Sequence, residues 1–500
     1  MNKISRRFMI LSSLTLGIAG FKPDERTPSS APPIPSSQSD EPLWKTRVIV
    51  VGGGLSGLIT AYALEKHGIA TQVLEASDVW GGRMYTTYYS DGLHAEAGTQ
   101  EIWQTNELLN IMKELKVPIE DRVEKAYSSM VMDGKIYPLD KSTDAYFLSF
   151  LSREEYETLK HWRERARLLH DVAEKKGIKN EEIKKLQDVS FARWIDDEKL
   201  PPKVGEWIRL TLECELGDDW TRFSALFGLL EFDTFLGDSG EPNYLIKNGN
   251  IHVATAIANA LPHKTLNVTV TRIERGETFD HKSWARVSYL KDHQMRTIEG
   301  EAVVVATPFW RLHQIVMDPP LSDEKLQAIS TLGGGQYTVV HFLISKDAQK
   351  LWHVNGKTPF PVLTRGPLGV VYGVIDESPA TQSLDVFSLL TYGDFAQSFH
   401  IIQRDQKIKE LLVELETLWP GFSKYVQASY VYGYHPWGVP LWPPGRSPLD
   451  VQADAVRRPD GNLYLVGDYL WNAHSDGAVR GAKEAAQRLV SELCGGRKCE

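Results

Sequence analysis

Three glycines near the start of the folded region have the spacing of a phosphate-binding turn. Gly52, Gly54 and Gly57 form a G-x-G-x-x-G pattern directly after the apolar run VIVV. Such glycines permit a tight turn, let the backbone approach a pyrophosphate and allow the next helix to pack closely. Glu75 follows 23 positions after the first glycine, where a carboxylate accepts hydrogen bonds from an adenosine ribose. These residues predict a dinucleotide site.

The surrounding pattern indicates the elements that position these residues. The β-branched run at 48–51 is typical of a buried parallel strand, and a helical pattern extends from about Leu55 to His67. A second apolar strand, 70–74, carries Glu75 at its end. The glycine motif alone would be weak evidence, but strand, turn, helix, strand and acid in register predict a βαβ unit.

Two further stretches suit the same kind of cofactor. DVWGGRMYT places Gly82 and Arg83 soon after Glu75, and NLYLVGDYLWNAHSDGAVRG places Gly467 and Asp468 after another apolar strand. With these motifs the chain resembles the flavin-dependent amine oxidase family, which includes monoamine, polyamine and nicotine-type oxidases. The resemblance extends from about residue 46 to 490, with its strongest motifs at the two ends.

The resemblance implies FAD, because a nicotinamide enzyme would need only the first half of this pattern. In the family, Glu75 would bind ribose, Arg83 would lie beside the pyrophosphate or flavin, and Asp468 would contact the phosphate and ribityl chain. The stretch YHPWGVPLW lacks the Cys to which mammalian-type enzymes attach their flavin, so noncovalent binding is expected. The residues expected to bind FAD are Gly52, Gly54, Leu55, Ser56, Gly57, Glu75, Ala76, Gly82, Arg83, Val270, Gly467, Asp468 and Ala478.

The implied fold class is α/β: a discontinuous Rossmann-like FAD-binding domain with an interleaved α+β substrate domain, a mixed sheet flanked by helices. Gly249 before a helical run and the strand-like AVVVATPFW fit this plan. The FAD-binding segments are expected at 45–105, 243–310 and 455–492, and the substrate-binding segments at 106–242 and 311–454. The charges between 153 and 199 are expected to form a solvated helical face.

The resemblance also implies two residues that contact the substrate. Trp442 occupies the position of one wall of an aromatic cage before the flavin, and His474 that of the second wall, which is usually Tyr. Paired rings would bracket the amine nitrogen. As a cage wall, His474 would narrow the range of substrates or titrate near neutral pH. The alternative to a cage wall is a histidine that only forms a hydrogen bond beside the flavin. For Tyr430 and Tyr432 a buried aromatic strand is expected.

A third candidate concerns reoxidation of the flavin. The resemblance implies a Lys on a substrate-domain strand, where it holds a water near flavin N5 and assists the reaction with oxygen. In TLGGGQYTVVHFLISK that position holds Tyr337, and Lys346 lies nine residues further, roughly 30 Å along an extended strand. Slow reaction with oxygen is therefore expected, with an exported carrier or quinone as the alternative acceptor.

The implied reaction is hydride removal from a carbon that bears an amine, giving an imine that water hydrolyses to an aldehyde or ketone. Amino acid oxidases of the superfamily often carry Arg where this chain has Tyr85, so a small-molecule amine is expected, although Arg446 or Arg365 could supply a carboxylate clamp. The alternatives are an L-amino acid oxidase, a desaturase or porphyrinogen-type oxidase with a large apolar substrate, and a noncatalytic exported flavin-binding protein.

The chain begins MNKISRRFMILSSLTLGIAG, with Arg6 and Arg7 before a weak apolar run. The run is diluted by Ser, Thr and Gly and is shorter than the about 20 residues that span a bilayer, so it suits an export signal. It resembles the twin-arginine signal, which addresses proteins that cross the membrane already folded. Residues 1–21 are expected to be the signal and 22–44 a disordered Pro/Ser-rich linker, giving a periplasmic or secreted enzyme. An ordinary secretory signal or a short membrane anchor is the alternative.

Composition gives no support for several other classes of protein. The net charge of −9 gives no electrostatic case for nucleic acid. The three cysteines, Cys214, Cys494 and Cys499, support neither a disulfide framework nor a zinc site. A bridge between Cys494 and Cys499 and a pair of free thiols both remain open. The oligomeric state has no signal in the sequence.

Overall fold

The computed structural model of the protein describes residues 46–124, 128–139, 142–237, 243–353, 358–374, 383–433, 435–495 and 499. Its strands are β1 (Val48–Val51), β2 (Thr71–Leu74), β3 (Thr86–Tyr88), β4 (His94–Glu96), β5 (Ile102–Trp103), β6 (Ile119–Glu124), β7 (Ser129–Met132), β8 (Lys135–Tyr137), β9 (Asn243–Ile246), β10 (Lys264–Thr265), β11 (Thr269–Glu277), β12 (Ser283–Lys291), β13 (Gln294–Gly300), β14 (Ala302–Val305), β15 (Val316–Asp318), β16 (Gly333–Gly335), β17 (Tyr337–Ser345), β18 (Val362–Leu363), β19 (Val370–Gly373), β20 (Leu384–Tyr392), β21 (Val426–Tyr432), β22 (Val439–Leu441) and β23 (Leu463–Leu465). Its α-helices are α1 (Leu55–Lys66), α2 (Leu108–Glu114), α3 (Thr143–Phe147), α4 (Arg153–Lys176), α5 (Glu181–Asp188), α6 (Phe191–Glu198), α7 (Pro202–Leu216), α8 (Ala225–Leu230), α9 (Ile251–Asn259), α10 (Asp323–Ser330), α11 (Gly393–Ser398), α12 (Arg404–Leu418), α13 (Val451–Arg457) and α14 (Ser475–Cys494).

A five-stranded parallel sheet carries the glycine motifs. Its strand order is β10–β2–β1–β14–β23, with Val48 in register with Ala302 on one side and Thr71 on the other. All residues of β1, β2 and β14 are buried, because helices α1, α9 and α14 cover one face of the sheet and residues of the larger core cover the other. The predicted βαβ unit and the α/β fold class are confirmed.

A second, seven-stranded sheet has the order β21–β17–β20–β19–β18–β7–β8. Its pairs are antiparallel except for β18 with β7, which makes it a mixed sheet. Helix α12 packs its apolar side, including Leu411 and Leu415, into the cluster formed by Phe342 and Phe387 of this sheet. The arrangement fits the predicted mixed sheet flanked by helices.

The helical region from α4 to α8 begins with a well-formed helix start. Ser152 and Glu155 form a reciprocal capping box at the N-terminus of α4. Tyr156, Leu159 and Trp162 are buried on one side of this helix, while many of its charged side chains are exposed. The predicted solvated helical face is present, with an apolar face opposite it.

The two sheets draw their strands from different parts of the chain. The parallel sheet uses β1 and β2 from the first predicted FAD-binding segment, β10 and β14 from the second, and β23 from the third. The seven-stranded sheet uses strands from 106–242 and 311–454 only. The four-stranded sheet β13–β12–β11–β15 takes β11, β12 and β13 from the second segment, whereas β15 lies beyond the predicted boundary at 310. The strand distribution follows the expected plan, and the exact domain boundaries stay predictions.

The structure describes the C-terminal end of the chain but not the N-terminal one. The expected signal and linker, 1–21 and 22–44, lie outside the described residues. At the other end Cys494 and Cys499 form a disulfide with their Cα atoms 5.3 Å apart. The Cys499 N–H donates to the carbonyl of His67 (2.9 Å), which holds this end against the end of α1. Within the described residues, none of the helices has both the length and the apolarity needed to cross a bilayer.

Candidate active site

The first glycine motif forms the turn from β1 into α1, at the carboxyl end of the parallel sheet. Gly52 has φ +110°, and a Cβ there would lie 2.9 Å from the carbonyl oxygen of Ala306. A Cβ on Gly57 would overlap the carbonyl of Gly52, so this glycine lets α1 pack closely on β1. Around Gly54, in contrast, a Cβ would meet only the carbonyl oxygen of Gly81, at 3.9 Å, among the described residues. Space therefore opens at the N-terminus of α1, where backbone N–H groups and the helix dipole stabilise a phosphate.

Glu75 is held at the carboxyl end of β2. Its Oε2 accepts the Gly53 N–H at 2.6 Å, and its Oε1 accepts the Ser77 N–H at 2.8 Å. The Val268 N–H donates to the backbone carbonyl of Glu75 (2.8 Å), which brings the start of β11, and with it Val270, to this loop. The carboxylate is thus fixed beside the glycine turn, as ribose binding requires.

The second glycine pair lies directly against the first motif. Gly54 and Gly81 form a β-bridge, and a Cβ on Gly82, which has φ +58°, would lie 3.3 Å from the Cα of Gly54. Close contact of two backbones requires glycine on both sides. This contact places Arg83 at the edge of the groove at the α1 N-terminus.

Arg83 joins the two ends of the chain. Its guanidinium forms a bidentate ion pair with Asp468, with Nη2 to Oδ1 at 2.8 Å. Its Nη1 also donates to the carbonyl of Gly438 at 2.7 Å, and its charge lies 5.5 Å from the ring centre of Trp310. Burial lowers the pKa of Arg83 but the Asp468 carboxylate raises it more, so the residue stays charged. Sequence reasoning anticipated both residues, and the fold pairs them.

Buried polar atoms without partners surround this ion pair. The Thr307 hydroxyl, the Trp310 Nε1 and the Tyr469 hydroxyl have no hydrogen-bond partner within the described part of the chain. Thr307 follows the end of β14, and Tyr469 follows Asp468 after β23. Buried polar groups are normally satisfied, so these three fit a polar group bound across the carboxyl ends of the strands. The residues present therefore fit a flavin dinucleotide.

The remaining predicted cofactor residues fall around the same groove with one exception. Leu55 and Ser56 form the buried first turn of α1, and Ala478 is buried in the first turn of α14. Gly467 follows β23 and precedes Asp468. Ala76 is exposed after β2, so its side chain contributes little to a pocket.

His474 forms a partly buried ion pair that no motif in the sequence indicates. It caps the N-terminus of α14, and its Nε2 lies 3.1 Å from Oε2 of Glu231, with the ring edge-on to Phe235. Burial lowers the pKa of His474, but the Glu231 carboxylate raises it more, to about 9. The side chain is therefore an imidazolium at neutral pH, and the alternative of a histidine hydrogen-bonded beside the flavin is the one this geometry favours.

A second acid, Glu215, lies in the last turn of α7 and is coupled electrostatically to this pair. Burial raises its pKa to about 7, while His474 lowers it and Glu231 raises it. Neither acid belongs to a sequence motif. The available signal was an acidic residue within an apolar run, in FGLLEFDTFL for Glu231 and LTLECEL for Glu215.

Trp442 does not present a free ring face. Its side chain is 1% exposed and its ring centre lies 4.9 Å from that of Phe227. A ring enclosed by protein on all sides cannot offer a π face to an amine, so its burial weighs against a role as a cage wall. Trp437, which lies near Arg83 through its contact with Trp310 (5.6 Å), is the more accessible indole of this stretch. The cage role of Trp442 stays a prediction.

Tyr337 begins β17 and is a half-buried, neutral side chain. Its hydroxyl donates to the carbonyl of Cys214 (3.0 Å), and its ring lies against Gly217 and Gly438. Burial raises the pKa of Tyr337 well above its ordinary value, so it carries no charge at neutral pH. Because Gly438 also contacts Arg83, Tyr337 lies close to the groove, and Lys346 follows the far end of β17.

The two arginines considered as carboxylate clamps are placed elsewhere. Arg446 is buried in an ion pair with Asp450 (2.7 Å) and donates to the carbonyl of Ala328 (2.8 Å). Arg365 is largely exposed and lies 3.6 Å from Glu206. Both guanidiniums have structural partners, so the expectation of a clamp from either of them is not supported.

A groove across the carboxyl ends of a parallel sheet, with an arginine–aspartate pair between the first and last segments of the chain that build it, is typical of a flavin-dependent oxidoreductase. Residues 55–490 match the family described as flavin containing amine oxidoreductase, and the chain belongs to that family.

The chain is similar over most of its length to several relatives and to solved structures. An L-amino acid dehydrogenase of Synechocystis sp. is 23% identical over 89% of this chain and 95% of its own length. The (S)-6-hydroxynicotine oxidase of Paenarthrobacter nicotinovorans is 23% identical over 89% of this chain and 98% of its own length. Cyclohexylamine oxidase from Brevibacterium oxydans superposes with a TM-score of 0.72 at 20% identity, over 90% of this chain and 99% of that one. At this identity the structural likeness shows the fold.

Proposed function

We propose that the protein oxidises a small-molecule amine with noncovalently bound FAD, giving an imine that is hydrolysed to an aldehyde or ketone. The observation that carries the proposal is the convergence of the N-terminal glycine turns and the C-terminal Asp468 on Arg83, with His474 at the adjacent helix N-terminus. Bound FAD supplies the hydride acceptor. Family membership supports the flavin and the reaction class.

The residues of the chain would bind FAD and orient it. Gly54 and the N-terminus of α1 would hold the pyrophosphate, Glu75 the ribose hydroxyls, and Asp468 the ribityl chain. The ion pair of His474 with Glu231 fixes the imidazolium beside the groove, and the buried aromatic rings around it exclude water.

Noncovalent binding is supported by the positions of the cysteines. Cys214 is a buried free thiol whose carbonyl accepts the Tyr337 hydroxyl, while Cys494 and Cys499 are bonded to each other. The purified protein should be yellow with one FAD per chain. Acid precipitation should release the flavin into the supernatant, and colour retained in the pellet would contradict noncovalent binding.

Amine oxidation is tested by anaerobic flavin reduction. A panel of primary, secondary and poly-amines is mixed with the holoenzyme without oxygen, and bleaching of the flavin absorbance is followed. At least one amine should bleach it. Bleaching by polyenes but not by amines would favour the desaturase alternative, and bleaching by no electron donor would favour a noncatalytic binding protein.

Two further proposals concern the electron acceptor and the cellular compartment of the enzyme. The neutral Tyr337 supports slow reoxidation by oxygen, with a periplasmic carrier or quinone as the faster acceptor. The Cys494–Cys499 disulfide supports an oxidising compartment, in agreement with export of the folded protein through Arg6 and Arg7.

A further inference from the structure

The disulfide between Cys494 and Cys499 lies where two helices that frame the groove end. Helix α1 begins after Gly54 and α14 begins after His474, so the N-termini of both helices lie at the groove. The helices pack along each other through residues of one apolar cluster. Cys494 is the last residue of α14. The bridge is therefore at the opposite end of this helix pair, roughly 18 Å from the groove along α1.

Cys499 is docked on the end of α1. Its N–H donates to the carbonyl of His67, the residue that caps the C-terminus of this helix (2.9 Å). Gly68 has φ +77°, and a Cβ there would lie 2.8 Å from the carbonyl oxygen of Cys499, so the two backbones approach as closely as glycine permits. The bridge holds Cys499 in this position with its Cα 5.3 Å from that of Cys494. The oxidised cysteines thus join the C-terminal ends of α14 and α1.

A guanidinium contacts both sulfur atoms of the bridge. Nη1 of Arg47 lies 3.0 Å from Sγ of Cys499 and 3.7 Å from Sγ of Cys494, and Glu301 accepts its Nε–H at 2.6 Å and orients the group. A cation beside a cysteine favours the thiolate, which is the form that reacts in thiol–disulfide exchange. Both cysteines are half-buried, within reach of a reactant, whereas burial raises the pKa of the Cys214 thiol well above its ordinary value. The pair is therefore suited to repeated opening and closing.

We propose that the Cys494–Cys499 bond is a redox latch for FAD. With the bond formed, Cys499 stays docked on His67, the ends of α1 and α14 are held together, and FAD bound between their N-termini is released slowly. With the bond reduced, Cys499 leaves His67 more readily and FAD exchanges faster. The inference rests on the proposed noncovalent binding of FAD and is independent of the substrate.

The latch closes by thiol–disulfide exchange with a protein disulfide as the oxidant. The thiolate of one cysteine attacks a sulfur of that disulfide, and the second thiolate then displaces the mixed disulfide. Cys494 and Cys499 together lose two electrons and two protons, and the oxidant becomes a dithiol. In a reducing cytoplasm both cysteines would remain thiols, so FAD would enter an open latch and be retained after export.

The test compares flavin release from oxidised and reduced holoenzyme. The protein is diluted with or without dithiothreitol, and the rise of free-flavin fluorescence is followed. Reduction should speed release about three- to tenfold, as expected when one backbone hydrogen bond is lost. Cys494→Ser should release flavin at the rate of reduced wild type under both conditions, because it lacks the bond in each. Equal rates from oxidised and reduced wild type, which share one sequence, would overturn the latch.

Hydrogen exchange locates the structural change. Reduction of the wild type should lower the protection of amides in the last turns of α1 and α14. Helix α12, which packs on the seven-stranded sheet, should keep its protection and serves as the internal control. Unchanged protection at the end of α1 would show that the bond does not hold this helix and would overturn the proposal.

The role of the guanidinium is tested by Arg47→Gln, with Arg47→Lys as the variant that keeps a cation. Reduced protein is mixed with oxidised glutathione at pH 7, and the loss of free thiols is followed by titration. Arg47→Gln should close the latch at least about threefold more slowly than wild type, and Arg47→Lys should close it at close to the wild-type rate. Equal rates in all three proteins would overturn the assignment of Arg47. Thermal unfolding confirms that the variants fold.

The latch and the proposed reaction fail separately. If amines bleach the flavin but the release rate does not depend on the bond, the latch fails and amine oxidation stands. If no amine bleaches the flavin but reduction of the bond speeds its release, the latch stands and amine oxidation fails.

Discussion

At Gly54 the backbone has φ −73°, a conformation open to any residue, and a Cβ would project into the groove at the start of α1. Gly54→Val should therefore fold but lose flavin, because its methyl groups occupy the path of the pyrophosphate. The cost of such overpacking, about 1–3 kcal/mol, corresponds to about ten- to hundredfold weaker binding. The measurement is flavin absorbance per chain after gel filtration. Gly205→Ala, at a helical position with open space, is the control, and full flavin content in Gly54→Val would show that the groove is misplaced.

The pair of His474 with Glu231 should make stability depend on pH in the alkaline range. The pKa of His474 in the folded protein, about 9, is above its ordinary value of 6.5. The stabilisation is therefore complete below pH 6.5 and is lost as the pH rises through 9, by about 3 kcal/mol at most. Thermal melts between pH 6 and 10 should show this fall in wild type and not in Glu231→Gln. The same fall in both proteins would assign it to other groups.

Tyr337 is the residue that tests the oxygen step. A cation at this position would stabilise the anions that form when oxygen is reduced, so Tyr337→Lys should speed reoxidation by about tenfold or more. Tyr337→Phe, which removes only the hydrogen bond to the Cys214 carbonyl, should leave reoxidation unchanged. Stopped-flow mixing of reduced enzyme with oxygen measures both. Wild-type reoxidation as fast as reduction by the amine would mean that a charge is supplied from elsewhere.

At the scale of elements, Lys325 of α10 attaches α13 to the rest of the protein. Its buried ammonium donates to the carbonyls of Ala455 (2.7 Å) and Val456 (3.0 Å) at the C-terminus of α13. These carbonyls have no partners within the helix, and a cation there also suits the helix dipole. Helix α13 leads into β23 and so positions Asp468.

Lys325→Met should therefore destabilise the protein by about 2–3 kcal/mol through the carbonyls left unpaired. The expected result is a lower denaturant midpoint, with flavin content reduced because Asp468 loses support. Gln327→Met on the exposed side of the same helix is the control. A midpoint equal to that of the control would mean that water satisfies the carbonyls without cost.

At the scale of the whole molecule, the groove is complete only after the first and last parts of the chain have met at Arg83 and Asp468. A cofactor bound by both ends would be inserted as the protein folds, which would explain the export in the folded state that we propose. Arg6→Lys with Arg7→Lys should leave flavin-loaded enzyme in the cytoplasm, detected by fractionation and flavin fluorescence. Lys3→Arg is the control, and normal export of the double variant would defeat this account.

The sequence by itself determined the features that depend on local chemistry. The β-branched runs predict the buried strands β1 and β14, and the glycine spacing predicts the tight turn after β1. The acid that follows β2 directly is equally local. Each of these features depends only on residues a few positions apart. The resemblance then predicted which segments supply the strands of the parallel sheet, and β1, β2, β10, β14 and β23 lie in those segments. Helices and strands with a regular pattern of apolar residues could be predicted, because hydrophobic periodicity and turn-forming residues act over short stretches of the sequence.

Only the tertiary structure decided which charged side chains form ion pairs. The partners His474 and Glu231 are 243 positions apart, and Arg83 and Asp468 are 385 apart. No pattern in a single sequence encodes such a pair, because the contact is set by how sheets and helices pack. Folding also decided the surroundings of Trp442. Its position in the sequence suggested a cage wall, but its ring is enclosed by protein. Burial raises the pKa of Glu215, and this burial exists only once the chain has folded.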